Sequence, residues 1–189
     1  MKKCIYFLFF VVIFLAIPNQ SEAQLFEKMS HNNRWTIKNL NADIPGSYCY
    51  NDSSIYYQKY GRLYPYKAAQ SVCVSLGEGW HLPLTDEWHI LLNHYNGEFK
   101  ESASTGKESF EKLLRKQKPN FGMTLAGNRN IDVTYSRIEG HGFYWTLTEF
   151  NSDNASFLNF ANGRKVLFLQ PDMKKIGAIS VRCVKKAQW

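Results

Sequence analysis

Beyond its N-terminal segment the sequence contains no apolar run near the ~20 residues that a membrane-crossing helix needs. It has no internal repeat, and aromatic residues make up 15% of it. Together these exclude collagen, coiled coil and long disordered tails. It lacks a Ser-His-Asp pattern and a glycine-rich phosphate loop, so nucleophilic catalysis and nucleotide chemistry find no sequence support. Cysteines are few, four in 189 residues.

The N-terminal segment has its own logic. Lys2 and Lys3 precede an apolar run at residues 5–17, Pro18 ends it, and Ser21-Glu22-Ala23 supplies a small-x-small cleavage pattern. The expectation is a signal peptide at residues 1–23 and a secreted, periplasmic or cell-surface protein. Cys4 precedes the apolar run, where it cannot act as a lipid-anchor cysteine. Cleavage removes two lysines, one glutamate and one cysteine, leaving 166 residues with net charge +6 and three cysteines. That length suits one domain with one core.

The positive charge is scattered. Its densest groups are Lys112/Arg115/Lys116/Lys118, on an expected helix, and Lys174/Lys175. An exported chain without a nucleic-acid motif is not expected to bind nucleic acid; acidic glycans or lipid head groups fit the compartment better.

Residues 24–34 are polar and aperiodic and read as a leader. Residues 35–40 alternate as a half-buried strand does, and Pro45-Gly46 marks a turn. Seven tyrosines crowd residues 48–66 around an Asn51-Asp52-Ser53-Ser54 turn cluster. Three helices are expected. The first starts at Pro65, carries Tyr66, Ala69, Val72, Cys73 and Leu76 on one face, and stops at Gly77. The second has Thr85 as N-cap, Asp86 and Glu87 in its first turn, and a Trp88, Leu91, Leu92, Tyr95 stripe that Asn96-Gly97 closes. The third covers residues 107–117, with Phe110, Leu113 and Leu114 inward.

From residue 121 strands and turns take over: an aromatic strand at 143–147, and a hairpin at 156–169 turning at Asn162-Gly163. A last strand has Ile179, Val181 and Cys183 on one face. Helices in the first half and short antiparallel strands in the second define an α+β class.

Several pieces then fit one pattern. They are Trp35…Asn39-Leu40, Tyr48-Cys49-Tyr50-Asn51, Tyr60-Gly61-Arg62-Leu63-Tyr64, Gly79-Trp80-His81-Leu82-Pro83, Gly142-Phe143-Tyr144-Trp145-Thr146…Thr148-Glu149 and Ser180-Val181-Arg182-Cys183-Val184. In order and spacing they resemble the Fibrobacter succinogenes major paralogous domain across residues 35–184, giving a domain at 35–186. Family members occur in secreted and surface proteins of Fibrobacter and Bacteroidota, and no enzymatic activity is established for them. The resemblance implies a C-type-lectin-like fold, in the branch that includes formylglycine-generating enzymes. It also implies a disulfide between Cys73 and Cys183. Cys49 stays free, because Tyr57 and Gln58 occupy the stretch where the family places its partner. The family's acidic, glycine-rich insert is replaced by residues 98–107, which are polar and charged.

The candidate sites follow. Gln170-Pro171-Asp172 matches the triplet with which galactose-preferring C-type lectins hold Ca²⁺ and sugar, but the Trp-Asn-Asp that normally follows is missing, and a proline turn leaving the hairpin is the better explanation. His81, His89 and His94 could suggest a metal; His89 and His94 do not stack on their helix, and His81 reads as ordering the turn before it. Cys183 lies in a buried strand unsuited to a reactive thiolate. The copper-binding cysteine pair of the formylglycine-generating relatives is absent. No cofactor and no catalysis are expected.

Tyr60 and Tyr64 read as structural, while Tyr56 and Tyr57 are better placed for exposure. Residues 149–171 combine Asn151, Asn154, Asn159 and Asn162 with Phe150, Phe157 and Arg164. This suits a ligand surface, and Asn151, Asn154, Asn159, Phe157 and Arg164 are its candidate contacts. The asparagines could equally be turn formers. The expected function is a secreted binding or adhesion module for a glycan or surface protein. The alternative is a structural or accessory subunit of a surface assembly; a degenerate formylglycine-generating-type enzyme is the third reading.

Overall fold

The computed structural model describes residues 26–29, 32–95, 107–114 and 121–186. The expected signal peptide and residues 98–106 lie outside them. Strands β1 (Phe26–Met29) and β2 (Asn33–Thr36) come first, followed by helix α1 (Ser54–Tyr60), β3 (Tyr64–Pro65), and helices α2 (Tyr66–Val74), α3 (Thr85–His94) and α4 (Lys107–Leu114). Then come β4 (Asn128–Arg129), β5 (Tyr135–Ser136), β6 (His141–Glu149), β7 (Asn154–Ala161), β8 (Val166–Lys174), β9 (Ala178–Ile179) and β10 (Val184–Lys186). The strands form three sheets, β1-β2-β10, β3-β9-β4-β5 and β6-β7-β8. The class is α+β, with the helices preceding most of the strands.

The β6-β7-β8 sheet is central because both faces of β6 are covered. Tyr144, Leu158, Phe160 and Leu167 pack on one side with Trp35, Trp88, Leu91, Phe110 and Phe121. Phe143, Trp145 and Phe157 pack on the other with Tyr66, Ala69, Val72 and Ile179 from the α2 side. Residues 142–146 are therefore buried without a break. A sheet covered on both faces reads as a continuous apolar run. Helix α2 is fastened to it by polar groups as well: Trp145 Nε1 donates to Tyr64 O at 2.7 Å and Tyr66 Oη to Leu147 O at 2.7 Å.

The Cys73–Cys183 disulfide joins α2 to the segment before β10, and Cys49 is free and half-buried. Beside it lies a fully buried cation. Arg182 donates from Nε to Asn39 Oδ1 at 2.8 Å, from Nη1 to the carbonyls of Thr36 and Phe121 at 2.9 Å each, and from Nη2 to Gly122 O at 2.7 Å. Burial lowers its pKa to about 10. Asn39 Nδ2 in turn donates to Tyr60 O, Thr124 Oγ1 and Ser180 Oγ. One hub thus holds the ends of β2, α1 and β9 and the 121–124 segment together.

Several expectations are corrected. The leader contributes β1, which pairs antiparallel with β2 from Phe26↔Thr36 to Met29↔Asn33; its sequence Phe-Glu-Lys-Met does not alternate apolar and polar residues, so no strand period marks it. The 51–54 turn cluster is a short 3-10 turn that runs into α1. Position 61 ends α1 at φ 79, where an added Cβ would lie 2.7 Å from Asn39 Cβ, so only glycine fits. Leu84, not Thr85, is the N-cap of α3. Glu87 accepts the Leu84 N–H at 2.9 Å, and the Thr85 hydroxyl donates to Thr148 Oγ1 at 2.8 Å. Asn162-Gly163 opens a four-residue turn, residues 162–165, in which Lys165 (φ 52) takes the left-handed conformation. Pro171 does not end the hairpin: it lies in edge strand β8, where Pro171 and Asp172 oppose Ser156 between the pairs Phe157↔Gln170 and Ala155↔Met173. Such a bulge on an edge is where a sheet tolerates proline. The last strand is split into β9 and β10, and residues 178–184 are buried whichever way they point.

Candidate binding face

The expected contact residues do not form one site. Asn151 Oδ1 accepts from the Asp153 and Asn154 N–H groups at 2.9 and 2.8 Å and from Asn154 Nδ2 at 3.0 Å. Lys175 Nζ closes the same β6–β7 turn through Glu149 and the carbonyls of Asn151 and Ser152. Asn151 and Asn154 therefore make the turn. Arg164 is exposed in the β7–β8 turn, at the far end of a strand about 23 Å long at ~3.3 Å per residue. Phe157 is only 5% exposed and belongs to the core. It pairs with Trp145, and strand alternation turns both toward α2.

Asn159 is different. It lies on the same sheet face as Phe157 but toward the other end, where the cover stops and His141, Asn159, Phe168 and Gln170 are half-buried. The registers His141↔Ala161, Phe143↔Asn159 and Asn159↔Phe168 bring them together across the three strands. His141 Nδ1 meets Asn159 Oδ1 at 2.9 Å, and Asn159 Nδ2 donates to Gln170 Oε1 at 2.8 Å. That chain fixes the roles: with the Asn159 amide nitrogen turned to Gln170, its oxygen faces His141, which donates from Nδ1. In the neutral imidazole, His141 Nε2 then remains an acceptor, and the Gln170 amide nitrogen is a double donor. Among the described residues neither has a further partner. The His141 and Phe143 rings stack at 5.3 Å, and the Arg137 guanidinium lies 5.7 Å from the Phe143 ring. The row itself carries no carboxylate.

The calcium and metal candidates are placed as follows. Gln170 of the Gln-Pro-Asp triplet spends its oxygen on Asn159, and Asp172 is exposed. His81 Nε2 lies 3.0 Å from Glu87 Oε2, which raises its pKa, and Nδ1 lies 3.0 Å from Gly79 O; it fastens the turn before α3. Among the described residues no three His, Cys, Asp or Glu side chains are grouped to hold a metal. Tyr60 and Tyr64 are buried, and Tyr56 and Tyr57 are half-buried, Tyr57 under the Arg62 guanidinium at 5.3 Å.

Sequence reasoning missed two features. The role of Arg182 was not read, although it lies in a family piece and is the one charge between Val181 and Cys183. The β4–β5 tip presents Ile131 and Val133, 60% and 61% exposed, on a loop braced by Asn128, Asn130, Asp132 and Thr134; nothing in the pattern marked it.

The family model described as the Fibrobacter succinogenes major domain matches residues 25–185. The chain belongs to that family. No curated protein and no solved structure matches it. Among the described residues no helix is long and apolar enough to cross a membrane.

Proposed function

We propose that this Fibrobacter succinogenes major domain protein is an exported, non-catalytic binding module on a C-type-lectin-like scaffold. Its ligand is a hydroxyl-rich glycan received by the open end of the β6-β7-β8 face. The observation that carries this reading is the His141–Asn159–Gln170 row, which ends in an acceptor at one side and two donors at the other. Sugar hydroxyls donate and accept at once and complement such a row without charge. Phe168, beside Asn159 in the register, adds apolar contact at low entropic cost. Cys73 and Cys183 are bonded to each other and His81 is held by Glu87, which supports a role without catalysis for these three.

The exposed Ile131 and Val133 tip favours a second reading, in which the domain docks on another protein of a surface assembly. A glycan array probed with and without calcium separates the two. The leading reading expects binding to neutral oligosaccharides that Gln170→Ala abolishes. An empty array, with protein capture from an outer-membrane extract that Ile131→Ser/Val133→Ser abolishes, supports the second.

A further inference from the structure

The β1-β2-β10 sheet pairs like charges. In register, Lys185 of β10 lies opposite Arg34 of β2, and Lys28 of β1 occupies the position opposite Arg34 on the other side. Directly opposed like charges destabilise an antiparallel pair, and among the described residues no carboxylate forms an ion pair with Arg34, Lys185 or Lys186. Trp35 and Val184, one residue away on their strands, are buried, so Arg34 and Lys185 belong to the sheet's outer face. Arg34 and Lys185, with Lys186 at the end of β10, line a cleft of about 560 Å3 with Glu78 and the glycines at 77 and 79. The Lys185 ammonium lies 5.2 Å from the Trp80 ring. The lining holds three cations against one acid.

We infer that this cleft is a second binding site, for an acidic glycan bearing carboxylate or sulfate groups. Arg34 and Lys185 on neighbouring strands about 4.8 Å apart, with Lys186 next along β10, match an extended chain whose acidic groups repeat at roughly the length of a sugar ring. They are more than a single small ion requires. The like-charge cost within the sheet is relieved when anions bridge the row, so bound ligand stabilises the domain. The site is independent of the neutral row on the β6-β7-β8 face, and either can fail without the other.

The test is calorimetric titration of the intact exported protein with a heparin-derived hexasaccharide, at low and physiological salt. Comparison probes are a neutral hexasaccharide and phosphatidylglycerol vesicles. Binding to the sulfated chain is expected, weaker at higher salt, and reduced at least about tenfold in Arg34→Gln/Lys185→Gln/Lys186→Gln, since each charge-assisted hydrogen bond lost is worth roughly a factor of ten. The control Lys59→Gln/Lys112→Gln/Lys174→Gln removes the same charge from outside the cleft and should bind as wild type. Glu78→Gln should bind more tightly. The cleft variant, freed of opposed charges, should melt no lower than wild type without ligand. No binding, equal loss in both triple variants, or preference for the vesicles overturns the inference.

Discussion

Replacing Arg182 asks whether a buried charge without a carboxylate partner strengthens or weakens this fold. Two effects oppose each other. Burying a guanidinium is costly, and its lowered pKa reflects that cost. Against it stand four charge-assisted hydrogen bonds to Asn39 Oδ1 and to the carbonyls of Thr36, Phe121 and Gly122. Three of these acceptors are backbone and remain whatever residue stands at 182. Arg182→Met keeps volume and removes the charge but orphans all four; even at about 1 kcal/mol each, the low end for a buried unsatisfied group, the sum is ~4 kcal/mol. The general cost of removing one partner from a buried charged cluster is similar, ~3–5 kcal/mol. The expected loss is therefore about 4 kcal/mol, a large part of the 5–15 kcal/mol typical of a domain, and roughly a 10 °C fall in Tm. Arg182→Lys should also lose stability, since a point ammonium cannot reproduce the planar fork. Urea denaturation followed by tryptophan fluorescence measures both. An Arg182→Met variant as stable as wild type would show that desolvation outweighs the hub, and would refute the reasoning.

Reduction of Cys73–Cys183, or Cys73→Ser/Cys183→Ser, should lower stability by up to about 4–5 kcal/mol, the chain-entropy value for a loop near 100 residues, while Cys49→Ser leaves the denaturation midpoint nearly unchanged. Gly61→Ala should cost well over ~1 kcal/mol in the same assay, because it combines positive φ with a clash against Asn39. Alkaline pH should unfold the domain: burial raises Tyr66 and Tyr135 to about 12 and Tyr64 further. A raised folded pKa gives stability that is full below the unfolded value of 10.0 and lost as pH rises toward 12. Arg182, lowered to about 10, acts with the opposite sign in that window but is one group against three. Melts at pH 9 and pH 11 should show a clear drop, and a flat profile would contradict the burial of these tyrosines.

The sequence made α2 and α3 legible because each buries one stripe, Tyr66, Ala69, Val72 and Cys73 in one, Trp88, Leu91 and Leu92 in the other. It showed β6 because a strand covered on both faces reads as an unbroken aromatic run. The resemblance supplied the disulfide pairing. Helix α1 was hidden, since Ser54-Ile55-Tyr56-Tyr57 favours no helix; packing of Tyr56 and Tyr60 with Tyr50 and Leu63 overrides propensity. Alternation along β7 was visible, but not which face lay open, so Phe157 and Asn159 were grouped although only Asn159 reaches the open end. The joining of His141, Asn159 and Gln170 into one row was hidden for a further reason. His141 lies outside the asparagine-rich segment and Gln170 at its end, and both join Asn159 only through strand register.

The central claim, that the open end of the β6-β7-β8 face receives a neutral glycan, is tested most directly by residue-resolved NMR titration with the strongest neutral oligosaccharide from the array. The account predicts shift changes at the His141 ring and at the Asn159 and Gln170 side-chain amides, with little change at Asn151 and Arg164. Saturable changes confined to either sheet-end turn or to the β4–β5 tip, with the three row residues unmoved, would contradict it.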